Sequence, residues 1–477
     1  MTVEIIGVIA LLVGLISLAR PTQFIIFVFT STMLLGSAAA FILDSLGGTS
    51  ISPAHLLLGF LAIKLLSDEQ MARQAMDRLA FPQPGFWLLL TTLYAIVSAY
   101  VMPRLFMGQT FTFGARTGAY LLPLEPTTAN LTQTIYLIGD LVCFILLSAY
   151  ASTLEGRRVF GNAILTCITL NLVFAVIDLA TYFTGTTELL SFIRNATYSM
   201  LNDTELAGLK RITGSFVEAS SFGGATLGFF AFSLRLWSLG LRPYFTGWLA
   251  ALSLLALVFS TSTTAYVGLA CFMVFFYAQA LLRAFQRPTT PQTWLLLVSA
   301  PILLLILVLA IALNDVSAAF FQNLLDTTIL NKMATSSGVE RSSWNRQGIQ
   351  NFLDTFGLGV GNGSMRASSF PIAVLASLGI IGSLLLGLFM ASVLFCRSNY
   401  GFDRLDDGFR EAAKSGCIVY LIAASMAGAF VDMGLAFFVF AALATSKPAT
   451  VSATIREESR FNSDHPSMLE RRSRHAV

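Results

Sequence analysis

The sequence predicts an all-α fold, a polytopic membrane helix bundle with twelve or thirteen transmembrane helices and a helical loop outside the membrane. Of the 477 residues, 55% are hydrophobic and only 12% are charged, whereas soluble domains carry about 25% charged residues. The mean hydropathy is +0.74, and apolar runs near the ~20 residues that cross a bilayer recur along the chain. The bundle is therefore expected to occupy residues 1–446. The net charge of +3 gives no indication of nucleic-acid binding.

The apolar runs define the individual spans. The first run carries Glu4 near its start and has no basic region before it, so we interpret it as a retained span and not as a signal peptide. The last two runs are short and share a turn at Asp432 and Gly434, which leaves the count open. The predicted spans cover residues 3–19, 22–44, 51–67, 86–103, 132–152, 159–182, 221–239, 244–261, 263–282, 293–313, 370–396, 413–431 and 433–446.

Basic residues predict the orientation, because cytoplasmic loops are enriched in lysine and arginine. With thirteen spans, the basic loops alternate consistently onto one side, which we interpret as cytoplasmic: Lys64, Arg73, Arg78, Arg157, Arg158, Arg235, Arg242, Arg283, Arg287, Arg397, Arg404, Arg410 and Lys414. Segments 104–131, 183–220 and 314–369 then lie outside. The polar segment 447–477 is expected to be a disordered cytoplasmic tail, with an interaction role as the alternative.

Cysteine and histidine provide no metal site in this sequence. The five cysteines lie in or beside apolar segments without metal-ligand spacing, which is typical of buried small hydrophobic residues. Two of the three histidines, His465 and His475, lie in the tail, and only His55 lies within the bundle. A histidine-based zinc site is excluded, and no metal or other cofactor is expected.

The outer segment 314–369, inserted in the bundle, is predicted to contain two amphipathic helices with their apolar faces on the bundle. One runs from Ala318 to Ile329, and the other from Ser343 to Phe356 with apolar residues at helical spacing. Ser342 or Ser343 is the expected N-cap, and a helix start beside Arg341 would favour anions. A purely structural role for these helices is the alternative, and it is compatible with a binding site.

Glycines alternate in the run Gly357-x-Gly359-x-Gly361-x-Gly363. The run lacks the preceding strand and the following Lys-Ser/Thr of a nucleotide-binding loop. We interpret it as a tight lead-in to the next span that lets the backbone, at Gly361 and Gly363, and the side chain of Arg366 approach a bound head group.

Charged residues at or within the predicted spans are the other candidates. Arg211 and Glu218 bracket the start of a span, where snorkelling to the interface is the structural alternative to a functional role. Asp140 and Asp178 lie within apolar segments; a structural hydrogen bond is the favoured interpretation and a functional site is the alternative. Asp432, in the turn between the last two spans, is a candidate to face the same site as the outer loops.

Four strings together resemble the O-antigen ligase/polymerase superfamily of bacterial polysaccharide assembly. They are Arg211-x-x-Gly-x-Phe-x-Glu218-x-Ser, Glu340-Arg341-x-x-Trp344, the glycine run, and Leu378-Gly379-Ile380-Ile381-Gly382. The matching region covers roughly 211–387. The resemblance implies a GT-C-like fold in the bacterial inner membrane, with the active site facing the periplasm.

The resemblance also implies the chemistry. A glycan carried on a polyprenyl (undecaprenyl) diphosphate would be transferred to an acceptor hydroxyl, without metal or nucleotide, and the lipid diphosphate would leave. Arginine suits a leaving diphosphate because guanidinium binds phosphate in a bidentate manner. By resemblance, Arg211 and Arg341 are the first candidates for this role and Arg366 is the third. The other expected substrate-binding residues are Trp344 and Arg346.

The sequence departs from the family pattern at two places. The ligase branch has a histidine before the span that follows the long loop, whereas this chain has Ser368-Ser369 there. The departure favours a Wzy-type repeat-unit polymerase over a ligase and leaves the general base unassigned, with Glu218 the first candidate and Glu340 the second. The family's short outer turn often carries an arginine, which is absent from residues 260–264, so anion binding is expected to depend more on Arg346 or Arg366.

Three alternatives to a polymerase remain open. A ligase would use the same chemistry with another acceptor. A transporter or flippase for a lipid-linked glycan would be expected to show internal repeats and charges at the bilayer midplane, and only Asp140 favours it. A non-catalytic assembly protein would use the basic loops only to bind lipid head groups. The expected partners are the lipid-linked donor and acceptor, the bilayer, and a flippase and chain-length regulator of the same pathway.

Overall fold

The computed structural model describes residues 2–43, 48–114, 120–197, 200–202, 204–206, 208–286, 288–315, 318–319, 322, 326, 336–396 and 403–446. Within them the chain is mainly helical. The helices are α1 (Ile5–Ala19), α2 (Thr22–Thr32), α3 (Pro53–Leu66), α4 (Glu69–Asp77), α5 (Pro84–Leu105), α6 (Thr128–Tyr150), α7 (Leu154–Thr184), α8 (Ala219–Ser238), α9 (Pro243–Phe259), α10 (Thr263–Gln286), α11 (Pro291–Ala312), α12 (Ser336–Asp354), α13 (Phe370–Leu394), α14 (Arg404–Ala427) and α15 (Leu435–Thr445). The tail 447–477, the predicted helix 318–329, and Arg287 and Arg397 lie wholly or largely outside the described residues.

Six of the described helices are long and apolar enough to cross a membrane, which makes the chain a multi-pass membrane protein. They are α5, α6, α7, α10, α11 and α13. Five more apolar helices are shorter, namely α1, α2, α3, α9 and α15. The sequence prediction of an all-α membrane protein is thus confirmed at this level, and each of the thirteen predicted spans contains a helix.

The predicted span 22–44 is wrong in its second half. Helix α2 ends at Thr32, and the chain turns and re-forms as a strand at Phe41–Leu43. The polar groups of this stretch bond the segment before α8: Ser37 Oγ donates to Ser215 O at 2.9 Å, and Ala39 N donates to Asn195 Oδ1 at 2.9 Å. Hydropathy gives no sign of this change, since residues 33–44 are as apolar as a helix would be.

Short antiparallel strands cover the loops at one end of the bundle. β1 (Thr2–Val3), β2 (Phe41–Leu43) and β3 (Thr49–Ile51) form one sheet in the order β1-β2-β3. β4 (Phe111–Phe113) pairs with β5 (Leu121–Pro123), and β6 (Glu205–Leu206) pairs with β7 (Leu209–Lys210). We call this the loop end of the bundle. It also holds α12 and the turn between α14 and α15.

Helix α8 is at the centre of the packing and contacts α14, α9 and α10. Small residues let the helices approach closely, as is common in membrane bundles. At Gly228 of α8, an added Cβ would lie 2.3 Å from the ring of Tyr420 on α14. Because α8 runs between the two ends of the bundle, Glu218 at its start and Arg235 near its end are about 25 Å apart at 1.5 Å per residue.

The opposite end carries an ion-pair network. Glu411 of α14 accepts from Arg235 of α8 at 2.7 Å and from Arg283 of α10 at 2.5 Å. At the start of α7, Arg158 pairs with Asp403, and Arg157 lies 3.7 Å from Asp406. Five of the arginines that the sequence placed on one side have acidic partners in α14 or its N-cap, namely Arg157, Arg158, Arg235, Arg283 and Arg410.

Helix α13 is broken in its first half. Gly379 has φ 63° and ψ −163°, which leaves carbonyl groups of the preceding turn without helical donors. Val360 N and Gly361 N donate to Ala376 O and Ser377 O at 2.8 and 3.0 Å. The glycine run is thus inserted into the break of α13. Non-helical backbone is tolerated at this depth because protein groups satisfy it.

Candidate functional site

Asp178 of α7 fixes the segment that leads into α8. Its carboxylate accepts from the backbone N–H groups of Thr213 and Gly214 at 2.8 and 3.0 Å, and from Arg194 Nη2 at 2.7 Å. The Asp178 side chain is fully buried and, with these donors and Lys210 at 3.8 Å, its charge is compensated. The favoured structural interpretation of Asp178 agrees with these bonds. The partners lie in a loop rather than on a neighbouring helix.

This anchored segment positions Arg211 and Glu218. Arg211 follows β7 and donates its backbone N–H to Thr204 O at 3.1 Å. Glu218 is the N-cap residue of α8, and the hydroxyl of Ser220 donates to its carboxylate. Both side chains are half-buried, so the charges of the two residues lie close to protein and not in open water.

Helix α12 carries Glu340, Arg341, Trp344 and Arg346. Its described residues are helical from Ser336, so neither Ser342 nor Ser343 is the N-cap, and that prediction is wrong. Ser343 Oγ instead donates to Val339 O within the helix at 2.9 Å. No helix start lies beside Arg341, so its anion affinity rests on the guanidinium itself.

The buried face of α12 also differs from the prediction. Ile349, Leu353 and Phe356 are exposed, at 53, 60 and 84%. Trp344 and Gly348 are buried instead, and a Cβ at Gly348 would lie 2.8 Å from Ile372 of α13. Polar contacts fix this face. Gln347 Nε2 of α12 donates to Phe111 O of β4. Thr110 Oγ1, just before β4, donates to Asp354 Oδ2 of α12.

Arg366 lies over Trp344. The guanidinium carbon is 4.2 Å from the indole ring centroid, within the range of a cation–π interaction. The Arg366 backbone N–H donates to Phe113 O of β4 at 3.0 Å. The loop after the glycine run and helix α12 thus meet at this pair. Arg346 and Glu340, by contrast, are exposed on α12.

Arg341 lies within electrostatic range of two arginines from other parts of the chain, Arg211 and Arg366. Burial lowers the pKa of Arg211, which Glu218 raises and the like charge of Arg341 lowers further. Burial also lowers the pKa of Arg366, with Glu340 and Glu218 raising it and Arg341 again lowering it. All three remain cations, because arginine does not deprotonate in proteins. The structure therefore collects positive charge at the loop end.

These arginines differ from those at the opposite end in having no ion-pair partner within 4 Å among the described residues. The Nε atoms of Arg211 and Arg366 are buried and donate to no acceptor in the described part of the chain, and the same holds for Arg157 and Arg235 at the opposite end. The three arginines are half-buried. Glu218 acts on Arg211 and Arg366 through its charge without an ion pair within 4 Å among the described residues, so an anion that joins the guanidinium groups would reduce their repulsion. The arrangement is suited to an anionic ligand with several oxygen acceptors.

A cavity of ≈ 510 Å³ lies beside this cluster at the loop end, within the roughly 300–1,000 Å³ of ligand sites. Of the candidate residues Arg211, Glu218, Arg341 and Arg366, Glu218 lines this cavity. Glu218 joins the two features, since it lines the cavity and its charge acts on Arg211 and Arg366.

The glycine run packs closely on the bundle. All six N–H groups from Gly357 to Asn362 donate to protein acceptors, the last to Ser98 Oγ at 3.4 Å. A Cβ at Gly361 would lie 2.6 Å from Ser98 O, and a Cβ at Gly363 would lie 2.4 Å from Ala129 O. Gly361 and Gly363 therefore allow close approach to α5 and α6, and contact of these residues with a head group stays a prediction.

His55 and Asp432 both line the cavity. The sequence analysis gave His55 no role and named Asp432 as a candidate to face the same site as the outer loops. His55 lies at the start of α3, and its ring packs 5.1 Å from that of Tyr136 on α6. The one signal in the sequence was that His55 is the only histidine outside the tail. No group of three or more potential metal ligands occurs in the described ranges.

No protein-family model, curated protein or solved structure matches the chain. The family resemblance thus rests on the four sequence strings alone, and any function has to be argued from the geometry of the loop end.

Proposed function

We propose that the protein is a Wzy-type polysaccharide polymerase of the bacterial inner membrane. It would join oligosaccharide repeat units carried on polyprenyl diphosphate into an exopolysaccharide or O-antigen chain. The single observation that carries the proposal is the cluster of Arg211, Arg341 and Arg366, which lack ion-pair partners in the described part of the chain. The cluster meets the charge requirement of a diphosphate leaving group.

The proposed step is a single displacement at the anomeric carbon of the donor. An acceptor hydroxyl attacks, the bond to the diphosphate breaks, and the diphosphate leaves with the electron pair. Arg211 and Arg341 stabilise the charge that develops on the leaving oxygen, and Arg366, held by Trp344, contributes to the same field. Removing one such donor costs about 10²–10³ in rate. Glu218, at the border of the cavity, is the first candidate for the base.

The membrane arrangement is also a proposal. All thirteen predicted spans would cross or enter the bilayer, the loop end would face the periplasm, and the ion-paired end would face the cytoplasm. The basic loops support this orientation through the charge bias of cytoplasmic loops. Lipid-linked donor and acceptor would then reach the arginine cluster from the outer leaflet.

A ligase and a transporter are the alternatives. A ligase would use the same arginines with another acceptor. The transporter is favoured by two observations, the broken helix α13 and the buried Asp140, since such proteins bind their substrates at broken helices. The N–H groups from Gly357 to Asn362, in the glycine loop that fills the break, donate to protein acceptors. The chain itself thus occupies the break, and for this reason we favour the polymerase.

Reconstitution tests the proposal. The purified protein is incubated in liposomes with a polyprenyl-diphosphate-linked repeat unit, without metal or nucleotide, and the glycans are separated by size. We expect a ladder that Arg341→Ala abolishes. The matched control is Arg104→Ala, an exposed arginine at the same end of the bundle whose guanidinium bonds only its own helix. Movement of the lipid-linked glycan across the bilayer without a ladder would instead identify a transporter.

A further inference from the structure

Asp140 and Asp178 are both acidic residues on apolar helices, but their surroundings differ. Asp178 has two backbone donors and two cations. Asp140 of α6 is 1% exposed, and its Oδ2 has no hydrogen-bond donor among the described residues. An acidic residue inside a membrane protein that no cation compensates is a functional candidate.

The carboxyl group of Asp140 lies against that of Asp432. The two groups are within hydrogen-bonding distance of each other, and two carboxylates in contact retain one proton between them. Asp432 Oδ1 accepts the backbone N–H of Gly434 at 2.5 Å, so the turn between α14 and α15 holds this carboxyl group beside the buried Asp140. One proton shared by the two carboxyl groups would hold the pair at a single negative charge.

Asp432 acts on His55 across the cavity wall. The two residues are close enough for their charges to interact. Ser52 Oγ lies 2.8 Å from His55 Nδ1, while Nε2 makes no hydrogen bond within the described residues. Gly139 of α6 leaves room for the ring, since its added Cβ would be 3.4 Å from Cδ2. The imidazole is thus fixed in position beside a carboxylate at the wall of a cavity.

We infer that this cavity binds the hydroxyl-bearing end of the acceptor glycan and that His55, which lines the cavity together with Asp432, takes up the hydroxyl proton. The inference rests on the proposed glycosyl transfer. Ser50, Ser52, Ser220, Ser221 and Thr264 also line the cavity, as suits an uncharged polyhydroxy ligand. Glu218, on the arginine side, would then orient the acceptor rather than accept its proton.

Atoms and charge balance in the proposed step. The acceptor O–H bond breaks and its proton moves to His55 Nε2, while the oxygen forms a bond to the anomeric carbon. The bond from that carbon to the diphosphate oxygen breaks, and the diphosphate gains one negative charge. The imidazolium is stabilised by Asp432 and later releases its proton to water. Asp140 is a positioning residue, since it shares a proton with Asp432 and keeps that carboxyl group in place.

Four variants test the inference in the reconstituted polymerase. Asp140→Asn keeps a hydrogen-bond donor facing Asp432, so we expect its rate to fall less than that of Asp432→Asn. Asp432→Asn removes the charge and His55→Gln removes the base, and each is expected to lower the rate at least 100-fold, since general bases contribute about 10²–10⁴. Added imidazole should restore part of the activity of His55→Gly.

The pH dependence separates the base from a structural residue. The wild-type rate should fall at acid pH as His55 becomes protonated. This acid limb of the pH–rate profile should be absent from the residual rate of His55→Gln. The titratable groups that face the pair and the ring are Tyr136 and Cys143 of α6, Glu218 before α8, and Tyr420 of α14. Glu218→Gln should keep the same limb. A limb that follows Glu218 and not His55 would overturn the inference.

Infrared spectroscopy tests the shared proton independently of activity. We expect a carboxylic-acid carbonyl band at neutral pH in the wild type that is lost in Asp140→Asn. Absence of this band, or a loss of polymerisation in Asp140→Asn as large as that in Asp432→Asn, would refute the shared proton. A wild type that forms no ladder would refute the glycosyl transfer itself, and the role of His55 with it, while the infrared band still decides the state of the carboxyl pair.

Discussion

The substitution Gly363→Ala tests the insertion of the glycine run into the bundle. Gly363 has φ 80°, and an added Cβ would lie 2.4 Å from Ala129 O and 2.8 Å from its carbonyl carbon. The left-handed backbone costs an L-residue about 1–2 kcal/mol, and overpacking against fixed backbone costs about 1–3 kcal/mol. The alanine recovers about 0.4–1 kcal/mol from the unfolded chain. We therefore expect the free energy of unfolding to fall by about 2–4 kcal/mol.

Thermal unfolding of the purified protein in detergent, followed by tryptophan fluorescence, measures this change. The matched control is Gly387→Ala on α13, where an added Cβ meets nothing within 4 Å. There, the helical alanine should leave the melting temperature unchanged or raise it, since glycine within a helix costs roughly 0.5–1 kcal/mol. Equal melting temperatures for Gly363→Ala and the wild type would refute the insertion, and an equal drop in both variants would show that the assay does not report on this loop.

Three further predictions follow from the contacts. Asp178→Asn should lower the melting temperature because it removes the charge that compensates Arg194, with a loss of about 3–5 kcal/mol for breaking a buried pair; a melting temperature equal to that of the wild type would contradict this. Glu411→Gln should destabilise the end opposite the loops, because the buried Arg235 loses its carboxylate partner, and limited proteolysis of the α14 N-terminus should become faster. Trp344→Leu should weaken binding of a soluble diphosphate ester without unfolding the protein, since the indole that positions the guanidinium of Arg366 is lost; binding unchanged in a calorimetric titration would show that the ring does not position the arginine.

Local pattern determined the helices but not where the backbone leaves them. Composition and run length predicted helical segments at all thirteen places, because burial in lipid depends on a residue's own side chain and its near neighbours. The same rule failed after Thr32, where an apolar run continues as strand because side chains from the segment before α8 bond its backbone. It also failed for the face of α12, whose apolar Ile349 and Leu353 are exposed while a glycine packs on α13.

The family resemblance singled out Arg211, Arg341 and Arg366, and their role stays a prediction. Their proximity was decided by tertiary structure, because Arg211, Arg341 and Arg366 come from three separate segments that only the packed bundle brings into electrostatic range. The sequence singled out Asp140 and Asp432 separately, but only the packed bundle brings them close to each other and to His55. The sequence by itself thus determined a helical membrane protein, whereas which charges have partners depends on distances between residues far apart in the chain.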